Sequence, residues 1–135
     1  MRITISGTPG SGKSSVARLL AERLRYRRVN GGDIFREEAT RRGMTLNAFG
    51  TWLGEHPAWD EQLDARLMDE ARKEEDIVIE GRLAGLLSKR DGIPALRIWM
   101  TAEMETRIDR LQHRDGGSRS EVRKHLAERE KSERD

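Results

Sequence analysis

The run Gly7-Thr8-Pro9-Gly10-Ser11-Gly12-Lys13-Ser14 constrains this chain more than any other stretch, because it directly follows apolar Ile3-Thr4-Ile5 and directly precedes an amphipathic segment from Val16 to Leu24. Strand, glycine-rich loop and helix are thus in register. The glycines at 7, 10 and 12 remove side chains, so successive backbone N–H groups can curl around an anionic oxygen while the loop feeds the positive end of a helix. Lys13 adds a point charge able to follow the β- and γ-phosphates of a nucleoside triphosphate. The Ser14 hydroxyl is the expected ligand of the Mg²⁺ that bridges them. The pattern is specific for phosphate and silent about which reaction follows.

The 135 residues fit one domain with a modest core, since 37% are charged and only 35% apolar. The formal charge of +2 is small, yet arginines gather over 23–28, 36–42 and 107–134, which suggests local anion sites or solvated faces more than a general polyanion surface. With no cysteine, disulfides and thiolate metal sites are excluded and the reducing cytosol is the natural compartment; His56, His113 and His125 show no ligand spacing. No apolar run approaches the roughly 18 residues of a membrane span, and the N-terminus enters a strand with no room for a signal peptide. A cytoplasmic protein that avoids membranes is expected.

Short apolar strands alternate with helical periodicity, the pattern of an α/β domain with a parallel sheet wrapped by helices. The first strand is Arg2 to Ser6, and the helix after the loop carries Val16, Leu19, Leu20 and Leu24 at inner-face spacing. A second strand over Arg27 to Asn30 ends at Gly31-Gly32. Asp33 is expected to cap a helix that Gly43 terminates, and Thr45 to cap another before His56-Pro57 breaks the pattern. A helix from Asp60 to about Lys73 precedes a buried strand over Asp76 to Glu80, a short helix follows through Leu83, Leu86 and Leu87, and Leu96 to Met100 reads as another buried strand. Thr101 is placed as the cap of the next helix, with Met104, Ile108 and Leu111 inward. Ser118 and Glu121 have capping-box spacing for a last, peripheral helix.

In an open parallel sheet, ligands collect at the C-terminal ends of the strands, and that is where the informative polar residues fall. Gly31-Gly32-Asp33-Ile34-Phe35-Arg36 follows the second strand and Glu80-Gly81-Arg82 the third. Two guanidinium forks converging from Arg36 and Arg82 would hold a second phosphate group bidentately. Glu80 ends an apolar strand, the position from which an acid reaches the loop's magnesium through water.

Taken with Leu83-Ala84-Gly85 and the arginine-rich segment from Arg107 onward, these motifs resemble the nucleoside monophosphate kinases, most of all the archaeal-type cytidylate kinases, over nearly the whole chain. The resemblance implies a P-loop NTPase-like three-layer fold with sheet order 2-3-1-4, ATP and Mg²⁺ as cofactors, and transfer of the γ-phosphoryl group to CMP or dCMP. It implies that residues 7–15, through Ser15, bind ATP, and that Asp33, Arg36 and Arg82 belong to the monophosphate site. Asp60 and Asp64 would lie in the region over 33–64 that closes on it. Residues 107–135 would form the lid, where Arg110 and Arg114, four apart on one helix face, meet adenine and phosphate respectively. Arg129 and Arg134 resemble the later lid arginines. All four arginines also fit a salt-bridged exposed helix, with the two readings even for Arg129 and Arg134, because Glu105, Asp109, Glu128, Glu130 and Glu133 are interleaved with them.

Archaeal-type members often carry threonines where this chain has Ser14-Ser15, which leaves the acceptor's base less fixed than phosphoryl transfer itself. The family continues into a further strand, whereas this sequence stops at Asp135 inside a charged segment. The Leu96 to Met100 strand would then be a sheet edge, and the expectation is either a truncated form or a protein with lowered stability and weak ATP affinity. Catalysis would be positioning plus electrostatics by Lys13, Arg36, Arg82 and Arg114, with no general base, because the acceptor is already an anionic oxygen. The expected partners are small molecules, with no nucleic acid and no membrane, on a monomer. Three alternatives stay open: a kinase for another monophosphate or small metabolite, a nucleotide-binding remnant, and a nucleic-acid binder suggested by the arginines over 23–28. Trp52 and Trp59 either stack on the base or, the favoured reading, pack the closing region.

Overall fold

Four parallel strands set the frame of the computed structural model, which describes the backbone of residues 1–134 and the side chains of residues 1–128. They are β1 (Arg2–Gly7), β2 (Arg27–Asn30), β3 (Ile77–Glu80) and β4 (Leu96–Met100), in the order β2-β3-β1-β4. This is the expected order. Between them run α1 (Lys13–Leu24), α2 (Gly31–Arg41), α3 (Leu46–Glu55), α4 (Pro57–Lys73) and α5 (Ala84–Arg90), and α6 (Met104–Asp115) and α7 (Arg119–Arg134) follow β4. Because all four strands are parallel, the segments after Gly7, Asn30, Glu80 and Met100 emerge from one end of the sheet.

Alternation along β3 builds both layers. Ile77 and Ile79 point into a core with Leu67, Met68, Ala71 and Leu87, while Val78 joins Ile3, Ile5, Ala17 and Ala21 on the opposite face. On β1 the side turned toward α5 carries Thr4 and Ser6, both buried. Ser6 Oγ accepts a hydrogen bond from Gly85 N at 2.8 Å. A Cβ at Gly85 would lie 3.2 Å from that oxygen and 3.3 Å from Thr4 Oγ1, so small residues on both sides let α5 start close to the sheet.

Several sequence expectations are corrected here. On α1 the contact line is Ala17 and Ala21, whereas Val16, Leu19 and Leu24 are exposed; small side chains four apart let the helix lie near the sheet, which turns the larger ones outward. Asp33 is not the cap of α2: Asn30 caps it, accepting from Gly32 N at 2.7 Å, so Gly31-Gly32 form the first turn. Thr101 does not cap α6, whose N-cap is Glu103 without a side-chain cap bond. The β4 strand is the sheet edge expected, but with Leu96 and Trp99 exposed it is not the buried strand its apolar run suggested.

Other expectations hold. Thr45 Oγ1 accepts from Ala48 N at 3.1 Å, and Pro57 opens α4 with only His56 between it and the end of α3. Ser118 Oγ accepts from Glu121 N. Helix α7 is less peripheral than its composition suggests, since Leu126 is buried against Ile108 and Leu111 of α6.

Candidate nucleotide site

Gly7 leaves β1 beneath Met100, and any side chain there would collide: a Cβ would stand 2.2 Å from the Met100 carbonyl oxygen. Gly10 has φ +78°, and its Cβ would meet the backbone of Arg107 at 2.9 Å. The loop is therefore threaded between β4 and α6. Arg107, buried on α6, donates from Nε to the Pro9 carbonyl at 2.8 Å, and Arg110 donates from Nη1 to the Gly10 carbonyl at 2.9 Å. Two guanidiniums thus draw loop carbonyls outward. Gly12 precedes α1, and the first N–H groups of that helix, which have no intrahelical acceptor, sit at its positive end. Among the described residues, Thr8 Oγ1 and Ser11 Oγ are buried without a hydrogen-bond partner. Together these features fit an anionic group of phosphate chemistry. Lys13 Nζ lies at the same loop, 3.4 Å from the Thr8 carbonyl.

Glu80 stands at the tip of β3, buried, and accepts hydrogen bonds from three side chains on two elements. Ser14 Oγ of α1 donates to Oε2, Asn30 Nδ2 of β2 donates to the same oxygen at 3.1 Å, and Arg28 Nη1 donates to Oε1 at 3.1 Å. A hydroxyl and a carboxylate in contact beside a phosphate-type loop are hard oxygen donors, the set that suits Mg²⁺. Ser14 and Glu80 are thus brought together as the sequence suggested, and Ser15 follows on the exposed first turn of α1.

At the neighbouring strand mouths, Arg36 folds back along α2 and donates to Asp33 Oδ1 at 2.9 Å, close over Gly32. Arg82 is exposed just past β3. Asp64 of α4 is half-buried. Burial first, then the charge of Asp60 one turn earlier, pushes its carboxyl up to about 6, against the opposing pull of Arg90 and Arg82. Asp60 itself is exposed. The acidic pair thus comes from α4, Arg36 from α2 and Arg82 from the turn between β3 and α5.

A family described as an AAA domain matches residues 3–133. The cytidylate kinase of Archaeoglobus fulgidus is 38% identical over 134 residues, a match spanning 99% of this chain and 73% of that protein. Those of Halobacterium salinarum and Methanococcoides burtonii are 43% and 41% identical, each over 98% of this chain and over 68% and 74% of their own lengths. This chain belongs to the cytidylate kinase family. It spans roughly seven-tenths of the length of those relatives. The same fold occurs in a shikimate kinase from Bacteroides thetaiotaomicron, with TM-score 0.69 at 18% identity, covering 95% of this chain and 75% of that one.

The remaining family-implied positions are spread along α6, α7 and the α2–α4 region. Arg114 makes two hydrogen bonds to Asp115, at 3.0 and 2.9 Å. Arg119 and Arg123 of α7 pair with Glu105 of α6, the salt-bridged pattern that interleaved charges suggested for this region. Arg129 and Arg134 lie outside the residues whose side chains are described. Trp52 and Trp59 clasp the guanidinium of Arg42, each ring centroid 4.5 Å from its central carbon, and Trp52 stacks on His56. Packing of the α2–α4 region is thus the role seen for both tryptophans. Arg27, from the basic stretch, pairs with Glu70 and Glu74.

Three members of the site went unread in the sequence: Arg28, Asn30 and Arg107. Alternation on β2 was the available signal for the first two, because Arg28 and Asn30 flank Val29 and Asn30 stands in register with Glu80. For Arg107, the three-residue step to Arg110 places both on neighbouring parts of one helix face.

Proposed function

We propose that this chain transfers the γ-phosphoryl group of ATP to CMP or dCMP, giving ADP and CDP or dCDP, with Mg²⁺ accompanying the donor. What supports this reading is a phosphate-type loop after β1 and arginines at the neighbouring β2 and β3 mouths, in a chain that belongs to the cytidylate kinase family. Residues Gly7 to Ser15 hold the triphosphate: loop amides and the α1 N-terminus take the phosphates, and Lys13 turns from the Thr8 carbonyl toward their charge. Ser14 and Glu80 would hold Mg²⁺, which supplies charge neutralisation across the donor phosphates. Asp33, Arg36 and Arg82 receive the acceptor's phosphate, with Arg36 exchanging Asp33 for it, while Asp60 and Asp64 border the nucleoside. Residues 33–64 act as the closing region and residues 107–135 as the lid.

The acceptor oxygen is already anionic, so no residue needs to remove a proton. The barrier is the mutual repulsion of two polyanions. Lys13, Arg36, Arg82 and Arg114 reduce it by neutralising and aligning them, with Arg110 beside the loop and Arg129 following on the lid. Closure of the lid excludes water and suppresses hydrolysis of ATP. The enzyme works as a monomer in the cytoplasm on small molecules. Among the described residues, no helix is long and apolar enough to cross a membrane.

The test is ADP formation, detected by coupled assay, across CMP, dCMP, UMP, AMP and GMP. Turnover highest with CMP or dCMP is expected. Highest turnover with another monophosphate corrects the acceptor, and ATP binding without turnover on any of them overturns the assignment.

A further inference from the structure

We propose that Arg28 and Asn30 are positioning residues for the metal-bound donor, acting through Glu80. Glu80 is almost fully enclosed, its side chain only 3% exposed, so its direction is set by its hydrogen-bond donors rather than by water. Each has a separate task. Ser14 Oγ–H donates to Oε2, which leaves the serine oxygen's lone pairs available to a cation. Arg28, 32% exposed, reaches in from β2 to Oε1 and stops the carboxylate from rotating away from the loop.

Asn30 uses both ends of its amide. Its Nδ2 donates to Glu80 Oε2 at 3.1 Å while its Oδ1 accepts from Gly32 N at 2.7 Å. One planar group therefore ties the carboxylate to the first turn of α2, the helix that carries Asp33 and Arg36. A shift of Glu80 must be matched by the start of that helix. Donors of this kind behind a metal-directed carboxylate change affinity for the metal without touching it, typically by 10- to 100-fold. Among the described residues, the side chains of Arg28 and Asn30 hydrogen-bond to Glu80 and Gly32 and not to the loop that takes the phosphates, so their influence falls on the metal-dependent part of binding.

This inference rests on the reading of Ser14 and Glu80 as the magnesium side of the site, and the test separates the two. Binding of ADP with Mg²⁺ and of ADP with EDTA is measured by titration calorimetry for the wild type, Arg28→Ala, Arg28→Lys, Asn30→Ala and Glu80→Gln, with a thermal melt of each. A wild type that gains nothing from Mg²⁺ overturns the underlying reading. Where it does gain, Arg28→Ala is expected to weaken Mg²⁺-ADP about tenfold while metal-free ADP stays within twofold, and Arg28→Lys to recover part of the loss. Asn30→Ala should act in the same direction. Arg28→Ala added to Glu80→Gln should change metal dependence no further. Equal losses with and without Mg²⁺, or no loss in either, overturn the proposal. If Arg28→Ala melts too low to titrate, Arg28→Lys and Asn30→Ala decide by the same criterion.

Discussion

Replacing Asp64 with asparagine should stabilise this chain at neutral pH, although it removes a charged group from the region proposed to border the acceptor. The Asp64 carboxyl stands at about 6 instead of the ordinary 3.8, chiefly through burial and then through Asp60. The folded chain thus holds this proton more tightly than the unfolded chain does. The stabilising contribution is fully present below about pH 4, fades as pH rises through the folded value near 6, and is absent above it. At about 1.4 kcal/mol per pKa unit the full shift would amount to about 3 kcal/mol. Because Asp64 is only half-buried, solvent screening reduces the expected figure to about 1 kcal/mol. Asparagine mimics the protonated acid at every pH. Urea unfolding at pH 4, 6 and 8 should therefore give Asp64→Asn an advantage of about 1 kcal/mol at pH 8, less at pH 6 and almost none at pH 4. A variant less stable than wild type at pH 8, or a difference independent of pH, would refute the reasoning.

Lys13→Ala should lower phosphoryl transfer at least about a hundredfold with an unchanged melting curve, measured by coupled ADP detection; near-normal turnover would remove Lys13 from the donor site. Gly10→Ala forces a side chain into φ +78° and onto the Arg107 backbone, so a melt and a nucleotide titration should report a loss of about 2–4 kcal/mol in stability or its equivalent in loop distortion and weaker ADP binding. Wild-type values for both would mean that the loop is not pinned against α6. Phe49→Ala empties the centre of the α2–α4 cluster, where Phe49 packs with Ala39 and Leu53, and should cost about 3 kcal/mol by urea unfolding.

The loop and the parallel sheet were legible in the sequence because each rests on local rules: glycine spacing fixes the turn, and apolar runs separated by helical periods fix a parallel sheet, whereas the strand order came from the family resemblance. What escaped was set by tertiary proximity. The inner face of α1 is chosen by how near the helix lies to the sheet, which favours Ala17 and Ala21 over Leu19. The capping of α2 by Asn30 displaced the expected Asp33, because an amide one step before the glycines also reaches Glu80. Arg36 and Arg82 were readable as strand-mouth arginines, yet the Asp33 contact of Arg36 depends on the first turn starting three residues earlier than expected. Arg107 looked like one of many lid-region charges; its step to Arg110 marks a shared helix face, but its burial against Pro9 depends on α6 crossing the loop.

Phosphorus NMR of the purified chain with MgATP and CMP tests the central account most directly. The account predicts that the CMP resonance gives way to the paired resonances of CDP while ATP becomes ADP in equal amount. ATP consumed with release of inorganic phosphate and no CDP, or no reaction at all, would contradict it.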